Sequence, residues 1–252
     1  MRCRRIVAAI TTHDRPESCC ALLRQIKEMA PAEPALDYSV ALVVFDDASP
    51  APSRKRLLAH LQQTQTNGDC FRHFQHRHGR DGYGRLMTEV FTEVRQYDTD
   101  LFLFLQDDVR LCRSFFYYAL RYWDSLPTVD RGALYLHRAA GTTDPDFKIW
   151  TDIAAEDLGD VERIGWIDCV GFLCDLVMLT ALQWRVMPVA SFTSSGVPAA
   201  LSMMMAHHGL KIYRPKLSLV KHLDLPSKMH SELAPMQKQI RRTVDFLDDS
   251  LP

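Results

Sequence analysis

Residues 101–112, LFLFLQDDVRLC, run five apolar side chains straight into Gln106, Asp107 and Asp108 before the chain turns apolar again. A run that short, closed by polar residues, has the length of a buried strand. The two adjacent carboxylates at its end repel each other and are costly to desolvate. The strand therefore belongs in the core, and the two carboxylates at its end need a partner or an opening to solvent.

The upstream sequence repeats the arrangement. Residues 6–11 are apolar and β-branched, the composition of a buried strand. Pro16 and Glu17 suit a first helical turn, Leu22, Leu23 and Ile26 form its stripe, and Pro31 and Pro34 end it. Residues 38–45, YSVALVVF, predict a second strand, closed by Asp46-Asp47-Ala48-Ser49-Pro50. A helix with Leu57, Leu58 and Leu61 on one face follows, then a strand over 70–74 and a helix over 86–94, after the Gly82-Tyr83-Gly84 turn. Strands alternating with helices predict βαβ units, an α/β fold with a mostly parallel central sheet flanked by helices. Right-handed crossovers put the carboxyl ends of such strands on one edge, where open α/β sheets bind ligands. Residues 11–14, Asp46-Asp47 and Asp107-Asp108 converge there.

The second half is less regular. Residues 166–179 predict a strand, a bend at Gly171 and a helix; residues 197–208 predict a helix with Pro198 in its first turn. Short strands are expected over 211–213 and 217–220, and a terminal amphipathic helix over 236–247. No linker or internal repeat divides the chain, so residues 1–252 read as a single domain.

Composition excludes several classes. Thirty basic residues against 31 acidic ones leave a formal charge of -1, so no global basic field for nucleic acid exists. No apolar run approaches the roughly 20 residues of a membrane span. The apolar stretch after Arg4-Arg5 stops at Thr11-Thr12, too short for a signal-peptide core. Seven cysteines, an odd number without a CxxC, read as reduced thiols in a cytoplasmic protein. His73, His76 and His78 lack a second pair at zinc spacing and read as part of a solvated basic loop.

Asp107 and Asp108 have two readings. Either caps the following segment, or the pair binds a divalent cation that in turn holds a diphosphate. The turn after the first strand, TTHDRP, has no glycine, which counts against a nucleotidyltransferase that must cradle a triphosphate. No GxGxxG follows a strand, which removes a Rossmann dehydrogenase.

Four segments carry a resemblance: IVAAITTHDRPESCCALLRQI (6–26), VVFDDAS (43–49), GRDGYGRLMTEVFTEVRQYDTDLFLFLQDDV (79–109) and GLKIYRPKLSLVKHLD (209–224). In this order they resemble the nucleotide-sugar glycosyltransferases of the GT-A fold, family 2 and its relatives. The resemblance implies a GT-A, Rossmann-like fold with a nucleotide-sugar-binding half over about 1–112 and an irregular acceptor-binding half over about 113–252. It implies Thr11 and Arg15 beside the nucleotide, Asp46 and Asp47 toward base or ribose, and Arg80 and Arg85 toward the diphosphate. Asp107 would contact the donor ribose or sugar. Asp108 and His222 would hold Mn²⁺ or Mg²⁺, and the donor would be a nucleoside diphosphate sugar, UDP by family habit. The acceptor stays open between glycan, small molecule, protein and nucleic acid. The stretch FRHFQHRHGRDGYGR (71–85) suits a polynucleotide acceptor or an exposed loop beside an anionic donor equally.

Two departures stand out. Gln106 occupies the first position of the family's DxD motif. The stretch SFTSSGVPAALSMMM (191–205), where inverting members carry a general base, has no carboxylate. Asp168 is the best substitute, with Asp175 behind it. Trp166 and Trp150 offer faces for stacking on a sugar or base. The missing base also sustains a non-catalytic module that binds a nucleotide-sugar or a polymer.

Overall fold

The computed structural model describes residues 3–29, 37–64, 69–139, 156–187, 196–223, 225 and 243–249. Its first half is a set of crossovers: β1 (Arg4–Thr12), α1 (Pro16–Met29), β2 (Tyr38–Asp46), α2 (Ala51–Thr64), β3 (Cys70–His73), α3 (Tyr83–Val94) and β4 (Leu101–Gln106). These strands pair in parallel in the order β3-β2-β1-β4. β4 is buried from Leu101 to Leu105, as a strand covered on both faces must be. Helix α1 begins with Pro16, whose ring fits a first turn, and buries Cys19, Leu22, Leu23 and Ile26. In its last turn Lys27 pairs with the buried Asp69, whose other oxygen accepts from Leu42 N–H at 3.0 Å. That contact ties α1 to β2.

The second half extends the same sheet. It contributes β5 (Val109–Leu111), α4 (Phe115–Ser125), β6 (Arg131–Tyr135), β7 (Glu156–Asp157), β8 (Val161–Ile164), β9 (Gly171–Asp175), α5 (Leu176–Ala181), α6 (Gly196–His207), β10 (Lys211–Pro215) and β11 (Val220–His222). The full order is β3-β2-β1-β4-β9-β6-β10-β8-β7. β9 lies antiparallel between β4 and β6, and β8 antiparallel to β10; these two run against the other strands of the sheet. β5 and β11 form a separate antiparallel ribbon. Among the described residues no helix is long and apolar enough to cross a membrane.

Several expectations are corrected. The strand expected over 217–220 is instead Val220–His222, because Val220, Lys221 and His222 pair with the short strand that follows Asp108. The terminal helix expected over 236–247 does not include 243–246. Thr243 and Phe246 make isolated bridges to Ala139 and Ser218, before a short 3-10 turn over Leu247–Asp249. Residues 236–242, Pro31, Pro34 and Trp150 lie outside the described residues. All seven cysteines are free.

β9 matters to the site because its close approach to β4 carries the preceding loop to the carboxyl end of β4, where Gln106 N–H donates to Val170 O at 3.2 Å. Gly171 allows the approach. A Cβ there would lie 3.0 Å from Leu105 Cδ2, 3.5 Å from Phe104 O and 3.8 Å from Val220 Cγ2. Gly171→Val should therefore destabilise the protein by about 2 kcal/mol through overpacking, with Gly171→Ala affected less. Urea denaturation reads this; an unchanged midpoint for the valine variant would show that the seam has room.

Candidate functional site

The chain leaves β1 toward β2 and β3, then returns to β1's other side as β4. Strand order thus reverses between β1 and β4, and the crevice at their carboxyl ends is where open α/β sheets place ligands. The register sets Thr11 beside Gln106 and Thr12 beside Asp46. Thr12 Oγ1 crosses the crevice and donates to Asp107 Oδ2 at 2.6 Å. The Ser18 hydroxyl, from the first turn of α1, donates to the Asp107 carbonyl. Arg15 Nη1 donates to Asp108 Oδ2 at 2.6 Å and to Asp107 Oδ1 at 3.2 Å. Asp107 and Asp108 are 5% and 7% exposed, so their shared cation is nearly dry. Burial pushes Asp107 up to about 7 and the Asp108 charge adds to the rise, while Arg15 and Thr12 pull the other way. Burial works against the Arg15 charge, but the two carboxylates outweigh it and hold its pKa above the ordinary guanidinium value.

His222 reaches the same place by strand pairing. β5 begins directly after Asp108, and β11 sets His222 opposite Val109. Leu223 N–H donates to the Asp108 carbonyl at 2.7 Å, and His222 Nε2 stands 3.6 Å from Asp108 Oδ2. Thr243 Oγ1 accepts from His222 N–H at 2.8 Å and lies 3.1 Å from the buried His137 Nε2. Asp108 Oδ1 and His222 Nδ1 are buried without a hydrogen-bond partner among the described residues. Buried polar atoms normally find partners, and a carboxylate oxygen with an imidazole nitrogen suits a divalent metal. No cluster of three His, Cys, Asp or Glu gathers at metal distance among the described residues. Asp108 and His222 are two residues that could hold a hard cation, which would complete its shell with oxygens from substrate and water.

The second-strand aspartates each have partners within the protein. Asp46 is fully buried; its Oδ1 accepts from Ser49 N–H at 3.2 Å and its Oδ2 faces His73 Nδ1 at 2.7 Å. Arg54 Nη1 lies 2.6 Å from His73 Nε2. Arginine only donates, so Nε2 accepts and the His73 proton sits on Nδ1, toward Asp46. Asp47 Oδ1 accepts from His78 N–H at 2.7 Å and pairs with His78 Nδ1 at 2.8 Å; Oδ2 accepts from Gly79 N–H at 3.0 Å. Both aspartates thus organise the loops around the crevice. The expectation of a freely solvated loop is corrected for His73 and His78 and holds for the exposed His76. Arg80 and Arg85 are exposed, with no ion-pair partner among the described residues.

On the other side, Asp168 sits in the loop between β8 and β9, half-buried, with Oδ1 accepting from Cys169 N–H at 2.7 Å. Its second oxygen has no hydrogen-bond partner among the described residues. Gln106 Nε2 donates to Tyr83 OH at 3.3 Å, and Asp168 lies near enough to help raise the Tyr83 pKa, which burial raises most. Trp166 is half-buried two residues before Asp168. Helix α6 opens on buried Gly196, Val197 and Pro198 with no acidic residue in its first turn. Cys19 is close to Asp107, but burial pushes its thiol well up, so the crevice offers no thiolate.

Thr12, next to the expected Thr11, makes the contact to Asp107, and sequence reading singled out neither Thr12 nor Ser18, Tyr83 or Thr243. Strand alternation sends Thr11 and Thr12 to opposite faces. Which face holds the carboxylates depends on the pairing of β1 with β4. Thr243 carries no sequence signal at all.

No family model matches the chain, and no curated protein matches it in sequence. Solved structures do. A mannosyltransferase from Pyrobaculum calidifontis, PcManGT, in complex with GDP-Man and Mn²⁺, superposes with a TM-score of 0.60 at 14% identity, over 92% of this chain and 60% of that one. S. aureus TarS 1-349 gives 0.56 at 11% identity, over 87% and 60%. GalNAc-T7 with UDP, GalNAc and Mn²⁺ gives 0.55 at 13%, over 88% and 44%. The chain thus spans 60% or less of these larger proteins. Together with the nine-stranded sheet and its switch point, these likenesses establish that the chain has the GT-A fold of nucleotide-sugar glycosyltransferases.

Proposed function

We propose that this chain is a metal-dependent glycosyltransferase that moves a sugar from a nucleoside diphosphate sugar to an acceptor hydroxyl, with UDP the expected nucleotide. The observation that carries the reading is the approach of His222 Nε2 to Asp108 Oδ2 at 3.6 Å beside the switch point, with Asp108 Oδ1 buried and unpartnered among the described residues. Residues about 1–112 form the donor half and about 113–252 the acceptor half. Asp108 and His222 would hold Mn²⁺ or Mg²⁺, and the imidazole favours Mn²⁺. When bound, the cation supplies charge stabilisation to the departing diphosphate.

The chain's own groups take the remaining roles. Thr11 lines the crevice, and Asp46 and Asp47 serve the nucleoside by fixing the 46–49 turn and the 78–79 loop. Arg80 and Arg85 offer guanidinium groups to the diphosphate. Asp107, held by Thr12, faces the donor ribose or sugar, and Trp166 stacks on the sugar. Asp168, with one oxygen already held by Cys169 N–H, takes the acceptor proton with the other. A nucleotide-sugar-binding module without transfer is the second reading, favoured by the apolar, carboxylate-free start of α6.

Two measurements test this. In a thermal-shift screen with UDP, GDP, CDP and dTDP, each with Mn²⁺ or EDTA, one nucleotide should stabilise the protein only with metal. At a hundredfold excess over Kd the gain is about 2.7 kcal/mol, and Asp108→Ala should abolish it. No shift with any nucleotide would sink the transferase reading. Asp168→Asn should lower transfer, or donor hydrolysis, by at least about 100-fold while leaving nucleotide binding unchanged. Equal turnover in this variant would remove Asp168 as the base, and a wild-type protein that binds but never turns over would select the binding module.

A further inference from the structure

The Arg15 side chain is 13% exposed, and its Nη1 donates to Asp108 Oδ2 at 2.6 Å and to Asp107 Oδ1 at 3.2 Å. The oxygen it holds on Asp108 is the one His222 Nε2 faces at 3.6 Å. A cation placed between Asp108 and His222 would thus share that carboxylate with Arg15, and the two positive charges would repel strongly in so dry a place. The backbone around Arg15 is fixed: Asp14 is left-handed at φ 52°, its N–H donates to Ser49 Oγ at 2.7 Å, and its Oδ1 accepts from Ser53 at 2.7 Å. Asp107 is fixed independently, through Thr12 and Ser18. The backbone that carries Arg15 and the position of Asp107 are thus each held by contacts that do not involve the guanidinium.

We propose that Arg15 is an exchangeable counter-ion, neutralising Asp107 and Asp108 until metal and nucleotide arrive together and then transferring to the donor diphosphate. This rests on the metal-site reading above. Its consequence is ordered chemistry: metal alone competes with Arg15 and binds weakly, whereas metal with a nucleoside diphosphate gives the guanidinium a new anionic partner of matching geometry.

The test is Mn²⁺ binding to the full chain, read from the electron paramagnetic resonance signal of free Mn²⁺, with no nucleotide and with UDP or GDP added separately. In the wild type, one nucleotide should tighten Mn²⁺ at least tenfold. Arg15→Gln should bind Mn²⁺ alone at least tenfold tighter than wild type, yet bind the nucleotide with Mn²⁺ at least tenfold more weakly. Arg15→Lys, which keeps the charge, should bind Mn²⁺ alone as the wild type does. Parallel weakening of both affinities in Arg15→Gln would make Arg15 merely structural and overturn the exchange. Wild-type protein that takes up no Mn²⁺ with either nucleotide would overturn the metal site and the exchange together. Should Arg15→Gln fail to fold, the Arg15 Nε–H resonance of the wild type reads the same event. It should shift with Mg²⁺ plus nucleotide and not with Mg²⁺ alone, and no shift with both overturns the exchange.

Discussion

Two carboxylates side by side in a nearly dry crevice are tolerable because Arg15 lies between them. Removing one partner of a buried ion pair typically costs about 3–5 kcal/mol, since it strands a charge in low dielectric. An apolar pair would satisfy the fold at lower cost. What remains is a stability liability placed where β1, α1, β4 and the β5–β11 ribbon meet. Buried charge concentrated at the switch point falls where open α/β sheets place their ligands. Each neighbouring element has a contact committed to holding the pair: Thr12 from β1, Ser18 from α1, and Leu223 just past β11.

The first half of the fold was legible because its signals are local. Short apolar strands, a proline-led helix and polar strand ends each follow from side chains within a few residues, and the crossover rule then assembles them. Asp107 and Asp108 were legible for the same reason, since two charges after a buried strand have few tolerable destinations. Asp46 and Asp47 show the limit of that logic. The sequence put them at the correct edge, but not which way they turn. His73 and His78 lie 27 and 31 residues beyond their partners, and no local pattern announces a pairing at that range.

The second half was harder to read because its elements exist only through distant partners. β5 and β11 are three residues each and are held by pairing with one another and by distant groups such as Gln25, Leu136 and Thr243. β9 is buried from Gly171 to Cys174, and nothing in GFLCD distinguishes a parallel strand from an antiparallel one inserted between β4 and β6. Helix α4, FFYYALRYWDS, mixes aromatic residues that favour strands into a helical stripe.

That insertion of β9 bears on the absent carboxylate of α6. A strand running parallel to β4 would carry its preceding loop to the far edge of the sheet, away from the crevice. An antiparallel one delivers its preceding loop to the crevice itself, and the loop before β9 holds Trp166 and Asp168. The Gln106–Val170 contact fixes that loop one residue from the acidic pair, and Tyr83 links it to Gln106 from below. The loop that holds Asp168 is therefore carried to the carboxyl end of β4 by strand direction alone. Val197 and Pro198, at the start of α6, are buried in the core instead.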